Sequence, residues 1–157
     1  MGLWTWLTDR DGSKARRVEE RVKHYEFLVT AASVAKIDLV CRDDLWAFTE
    51  KQTRALQEEA FQPPSEDLII RDEGMVTVPL SGTNLAAVLE AMFHLDTAPD
   101  TSRVARAQAV QVYISITSVL GLVSPMSDRD NPLIPIVIDD RIRRRQPDPD
   151  GPATATP

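Results

Sequence analysis

Apolar residues recur with a helical period near the start of the chain. They follow one another at alternating steps of four and three residues: Val18, Val22, Tyr25, Val29 and Ala32. Such steps align side chains along one face of a helix. The pattern predicts an amphipathic helix over about residues 13–36, with this face directed towards the core.

Two further helices are predicted by apolar periodicity. The second follows Asp43 and Asp44 and ends before Pro63, because a proline disfavours helical angles in the residue before it. The third has the most regular pattern of the chain, with apolar residues at relative positions 0, 3, 4, 7 and 8: Leu85, Val88, Leu89, Met92 and Phe93. Residues 97–102 interrupt this pattern with turn-forming side chains.

A β-hairpin is predicted near residues 67–79, between the second and third helices. Two short apolar runs, 68–70 and 75–78, flank the segment Arg71 to Gly74. Glycine at the last loop position can take the positive φ that a tight reversal needs. Two strands alone are marginal in water, so the hairpin must pack on other elements.

The segment 103–123 is open to two interpretations. Val110, Val112, Ile114 and Ile116 alternate as in a strand. Strands usually have about 3–10 residues, however, and this segment is about twice as long, so we favour a mostly buried helix. Residues 133–138 are apolar with a proline at 135, which suits either an edge strand or an extended strap.

These elements predict a mainly α fold, a bundle of about four helices around one core with the small hairpin inserted. The length of 157 residues suits one domain. We divide the chain into an aromatic N-terminal segment (1–12), a helical domain (13–142) and a C-terminal tail (143–157). The tail is first basic and then rich in Pro and Asp, which predicts disorder.

Composition narrows the function classes. The chain has 24 acidic against 18 basic residues, a net charge of −6, and a pI near 4.9, which argues against a dedicated nucleic-acid binder. Its single cysteine, Cys41, excludes an intrachain disulfide and a cysteine-based zinc cluster. The longest apolar-rich stretch, 104–123, is interrupted by polar residues, so we do not expect it to span a membrane. A cytoplasmic location is expected.

Residues suited to catalysis or metal binding are sparse. Glu90, His94 and Asp96 are weak metal candidates on the third helix, but their spacing matches no established motif. A histidine at the C-terminal end of a helix is also explained by the helix dipole. We find no phosphate loop, dinucleotide fingerprint, nucleophile elbow or zinc-protease helix. The sequence therefore predicts no catalytic residue and no cofactor, and argues against an enzyme.

Two groups of residues suggest contact with partners. The first is apolar and aromatic, at the N-terminus: Leu3, Trp4, Trp6 and Leu7. Tryptophan is common at interface hot spots, and an apolar terminus followed by basic residues also suits peripheral contact with a membrane. Burial as a lid over the helices is the structural alternative. The second group is the basic run Arg143, Arg144 and Arg145, which suits an acidic partner or plain solvation.

We therefore expect a non-enzymatic protein-interaction or regulatory protein that acts through amphipathic helix faces. Its partner would be another protein, including a second copy in a homodimer. One alternative is a DNA-binding regulator that uses the hairpin as a wing, although the hairpin is acidic and would repel phosphate. Another is an enzyme or ligand-binding protein with a site near the third helix.

Overall fold

The structure, a computed structural model, describes residues 5–122 and 135–138, with side chains described from Arg16 on. Within these ranges the chain forms four α-helices and a four-stranded mixed sheet. The tail expected to be disordered, 143–157, lies outside the described residues. In chain order the elements are α1 (Thr5–Ser33), β1 (Ile37–Arg42), α2 (Asp43–Leu56), β2 (Ile70–Asp72), β3 (Met75–Leu80), α3 (Gly82–Thr97), α4 (Arg103–Leu120) and β4 (Ile136–Val137).

The sheet has the strand order β2-β3-β1-β4. β1 and β3 pair antiparallel, with Leu39 opposite Val78, and β4 joins the other side of β1 in parallel. Side chains along β1 and β3 alternate between buried and partly exposed. This alternation is typical of a sheet that packs one face on a core. The helices cover that face.

The predicted hairpin is present as β2 and β3. Its turn contains Glu73 and Gly74 with φ angles of 48° and 79°, both in the left-handed region. Two successive positive φ angles match the right-handed twist of a two-residue hairpin loop. The structure adds β1 to this hairpin, a strand that the sequence analysis did not predict. β1 supplies the packing partner that two strands alone lack.

α3 is the central helix, because α1, α2 and α4 all pack against it. Four of the five periodic residues identified from the sequence, Leu85, Val88, Leu89 and Met92, are fully buried, and the fifth, Phe93, is partly buried. The Ser81 hydroxyl caps its first turn by accepting from the Asn84 backbone N–H. The helix with the most regular apolar period in the sequence is thus the one that packs against the three other helices.

The segment 103–123, for which we favoured a helix because of its length, is mostly helical. Residues 103–120 form α4, whose buried residues Ala109, Val112, Ile116 and Leu120 share one face. Within the described part of 133–138, Ile136 and Val137 form the short edge strand β4. The mainly helical content and the four helices are thus confirmed, while the sheet takes the side of the core that a pure bundle would fill with helices.

α1 differs most from expectation. It starts at Thr5, eight residues before the predicted start at about residue 13, and ends at Ser33 after 29 residues. Its face towards α3 and α4 carries His24, Phe27, Leu28 and Ala31, which are buried or partly buried. The expected core residues Val18, Val22, Tyr25 and Val29 are 53–67% exposed. The helix has apolar side chains on two faces, and the more regular one faces outward.

Gly82 sits where α3 begins beside the end of α1. A Cβ at this position would collide with the backbone carbonyl oxygens of Ala31, Ala32 and Val34. Backbone atoms in a packed helix end cannot move aside as a flexible side chain can. The close approach of the two helices therefore requires glycine here.

Gly82→Ala is expected to lower the free energy of unfolding by about 2–4 kcal/mol, because the added methyl group forces α1 and α3 apart. Urea denaturation followed by circular dichroism measures this change. Gly121→Ala is the matched control, since its Cβ would approach no closer than 3.3 Å to the Thr117 carbonyl oxygen. Equal stability changes in the two variants would contradict the packing argument.

Candidate interaction surface

His24 joins α1 to two other helices. Its Nε2 lies 2.7 Å from Glu90 Oε2 on α3, and its Nδ1 lies 3.0 Å from the Tyr113 hydroxyl on α4. The imidazole also stacks on Phe93, with ring centroids 3.9 Å apart and planes within 9°. His24 is 6% exposed. We call these four residues the His24 clamp.

Both nitrogens of the imidazole are satisfied in the clamp. With the proton on Nε2, the ring donates to the Glu90 carboxylate and accepts from the Tyr113 hydroxyl at Nδ1. A buried histidine with both nitrogens bonded avoids the cost of an unpaired polar group. The Glu90 side chain is 43% exposed, so its carboxylate remains in contact with water. The arrangement resembles a structural hydrogen-bond network more than a poised catalytic base.

Tyr113 is held as a neutral phenol. Burial first, and then the negative charges of Asp96 and Glu90, raise the pKa of Tyr113 to about 12. Both effects disfavour the tyrosinate anion. The hydroxyl therefore stays available as a donor to His24 across the physiological pH range.

The outward face of α1 carries an apolar stripe. We name it the α1 outer stripe and define it as Val18, Val22, Tyr25, Val29 and Ala32. Its four large members are 61%, 53%, 67% and 56% exposed, in chain order. At about 100° per residue, the stripe lies on the opposite side of the helix from His24 and Ala31. Contiguous exposed apolar surface of this kind often marks an interaction site.

The stretch of α1 from Arg16 to Lys23 has no buried side chain. Every side chain from Arg16 to Lys23 is exposed, whereas burial begins at His24. The exposed part carries ion pairs within the helix, Arg16 with Glu20 and Glu19 with Lys23, each at 3.1 Å. Such pairs add only about 0.3–0.5 kcal/mol each. A helical segment with so little support gains most from a partner along its apolar face.

The weak metal candidates are not assembled into a site. Glu90 contacts His24 rather than His94, and His94 and Asp96 are both exposed near the end of α3. No group of three or more His, Cys, Asp or Glu residues that could hold a metal ion occurs in the described part of the chain. The pairing of Glu90 with His24 spans 66 residues, and no local sequence signal indicates it.

The hairpin considered as a DNA-binding wing has an acidic environment. Its basic residue Arg71 donates to Asp43 and, at 3.0 Å, to Glu66. Asp72 and Glu73 are exposed at the tip. A phosphate approaching the tip would meet these carboxylates, and Arg71 is already engaged by two others. This charge arrangement disfavours the wing hypothesis.

The other interaction candidates lie at the ends of the chain. Trp6 and Leu7 belong to the first turns of α1. Leu3, Trp4 and the run Arg143, Arg144 and Arg145 lie outside the described residues.

Two shallow depressions occur on the described surface, one along α2 and one on the open face of the sheet. The first is lined by residues such as Glu50, Lys51 and Arg54, the second by residues such as Lys36, Asp38 and Ile70. Neither is lined by a histidine. Neither gathers acid and imidazole groups as a hydrolytic site would.

Comparisons with known proteins add no analogy. A scan against protein-family models, a search of curated proteins and a search of solved structures each give no match to this chain.

Among residues 5–122 and 135–138, no helix combines the length and apolar character that crossing a bilayer requires.

The two histidines should differ sharply in their effect on stability. His24→Ala is expected to cost about 2–3 kcal/mol, because it removes a stacked ring and leaves Glu90 and Tyr113 without their partner. His94→Ala is the control, since His94 is exposed, and it should change stability by about 0.5 kcal/mol or less. Chemical denaturation measures both. A neutral effect of His24→Ala would show that the clamp does not hold α1.

The Tyr113 hydroxyl is expected to lose its proton at a higher pH than an ordinary tyrosine. The chain has two tyrosines, so comparing wild type with Tyr113→Phe isolates the tyrosinate absorbance of Tyr113, with an expected midpoint at about pH 12. An unfolded tyrosine titrates near pH 10, so the folded state holds its proton longer. Stability is therefore unaffected by this group below about pH 10 and falls as pH rises from 10 to 12. A midpoint of pH 10 for the isolated step would contradict a buried phenol.

Proposed function

We propose that the chain is a non-enzymatic protein-interaction or regulatory protein that acts through the α1 outer stripe. The observation that supports this most directly is the exposure of four large apolar side chains in line on a helix whose opposite face is already packed. Core packing of the domain does not use these side chains. Their regular 4-3-4 spacing suits contact with another helix.

The proposal uses an amphipathic helix face, as expected from the sequence, but through the side opposite to the core. A helical bundle remains a fair description of how α1, α2 and α4 surround α3. The single cysteine and the acidic composition agree with the cytoplasmic location proposed from the sequence.

The alternatives have less support. An enzyme with a site near α3 would need a reactive group free to act, yet His24 and Glu90 engage each other, and neither of the two depressions described above is lined by them. A DNA-binding role would need a basic surface, and the hairpin is acidic. We keep the protein-interaction hypothesis because a specific apolar surface supports it.

Photo-crosslinking tests the proposal. A benzophenone amino acid replaces Tyr25, a stripe residue with an exposed aromatic ring of similar shape, in the cells from which the chain comes. The expected result is a discrete crosslinked protein adduct on irradiation. Ile114 on α4 is the matched control position, because it is 56% exposed but lies outside the stripe.

An adduct at position 25 that is absent at position 114 supports the proposal. Adding Val22→Glu to the position 25 variant should abolish the adduct, because a carboxylate would enter the apolar contact. The absence of any adduct at position 25, with the protein folded by circular dichroism, would refute an interaction through this face.

A further inference from the structure

We infer that the partner of the α1 outer stripe is a second copy of the same chain, and that the two α1 helices pair as a short parallel coiled coil. This inference rests on the proposed function, because it names the occupant of the same surface. Three observations support it: the heptad positions of the stripe, the charges beside it and the way α1 is held by the domain.

The stripe fits a heptad repeat. Counting from the stripe, position a is taken by Ala15, Val22 and Val29, and position d by Val18, Tyr25 and Ala32. These are the positions that form the seam between two coiled helices. β-branched valine at a is compatible with a parallel two-stranded coiled coil. The repeat spans 18 residues of α1, a length of about 27 Å at about 1.5 Å per residue.

The flanking charges select a second copy and its direction. Within the repeat, position g carries Arg21 and Leu28, while position e carries Glu19 and Glu26. In a parallel pair, each g residue faces the e residue five positions later on the other helix, so Arg21 of each helix meets Glu26 of the other. Both of these contacts join opposite charges.

An antiparallel pair would be opposed by the same residues. It places g opposite g and e opposite e, which brings Glu19 of one helix against Glu26 of the other. Neither Arg21 nor Glu26 makes a side-chain ion pair with any described residue, so both are available to the other copy. The charges therefore complement the parallel copy of this helix and repel the reversed one.

Packing within the domain holds α1 in place before it pairs. The His24 clamp and the burial of Ala31 fix the C-terminal half of the helix against α3 and α4. Pairing therefore does not require a disordered segment to fold, which removes part of the entropy cost of a short coiled coil. The packed face is opposite the stripe, so the two domain bodies lie on the outer sides of the pair.

An anionic membrane surface is a poorer match. An interfacial helix usually carries Lys and Arg along the border of its apolar face. On α1 one border carries Glu19 and Glu26. These carboxylates would be repelled by anionic lipid, whereas in the coiled pair Glu26 would face Arg21 of the other copy.

The full-length chain in analytical ultracentrifugation gives the first test. The expected result is a monomer–dimer equilibrium that reaches twice the 17.5 kDa chain mass at high concentration. Val22→Glu should weaken dimerisation by about 100-fold, because it buries a carboxylate in the seam. The control Ile114→Glu should leave it unchanged, and circular dichroism should show both variants folded.

Disulfide crosslinking tests whether the two α1 helices run parallel. Residues at position a meet their own counterparts only in a parallel, in-register pair, so Val22→Cys should form an intermolecular disulfide on mild oxidation. Lys23→Cys is the matched control, because its exposed neighbouring position lies off the seam. Equal crosslinking of the two variants would overturn the parallel arrangement.

Charge exchange gives a third readout. Arg21→Glu or Glu26→Arg alone should weaken the dimer by about tenfold, because each creates like-charge contacts, and the double variant should restore it. Mixing the two single variants should also restore association, because the mixed pair joins opposite charges. Tighter association of Glu26→Arg would indicate antiparallel pairing, in which position 26 faces Glu19 of the other helix, and would overturn the inference.

The outcomes separate this inference from the proposed function. A monomer at all concentrations, together with a foreign protein crosslinked at position 25, would overturn self-association but support the interaction surface. A monomer with no adduct at position 25 would overturn both. Binding of the monomer to vesicles of anionic phospholipid, lost in Val22→Glu, would overturn both in favour of a membrane surface.

Discussion

The rotation of α1 about its own axis depends on one buried imidazole. His24 bonds to Glu90 on α3 and to Tyr113 on α4 and stacks on Phe93, so it fixes α1 against two helices with directional contacts. Apolar packing alone is non-directional and could accept either apolar face of α1. A hydrogen-bonded side chain cannot turn outward without leaving its partners. The clamp thereby determines which apolar face reaches solvent.

The same helix serves the core and the surface through different residue types. Its inner side uses an imidazole and residues such as Ala31, which permit close approach to Gly82 at the start of α3. Its outer side uses valines and a tyrosine, bordered by acidic residues on one side and basic residues on the other. Close packing inside gives rigidity, and a rigid helix presents its outer side chains in a fixed register. Stability of the domain and recognition at its surface are thus coupled through one element.

Local sequence patterns were sufficient to predict α3, the hairpin turn and α4. α3 has neighbours on several sides and a regular apolar period, and the Gly74 turn has a conformational requirement that few residues meet. α4 was assigned correctly because its length outweighed its β-branched residues. β1 was missed although Ile37, Leu39 and Cys41 alternate in it and residues 37–42 lie between the two predicted helices, because its antiparallel partner β3 is distant in the sequence. Both faces of α1 are apolar, so its periodicity could not indicate which one is buried. The clamp joins residues 66 and 89 positions apart, beyond the reach of any local pattern.

The sheet ends in strands that offer little for further pairing. β2 has three residues and β4 has two, and every residue of β2 is exposed and two of the three are charged. Short edge strands, and charges such as those of β2, discourage the backbone-to-backbone addition of foreign strands that leads to aggregation. In the described part of the molecule, the domain can therefore present an apolar helix face for recognition while its sheet edges give little opportunity for strand addition.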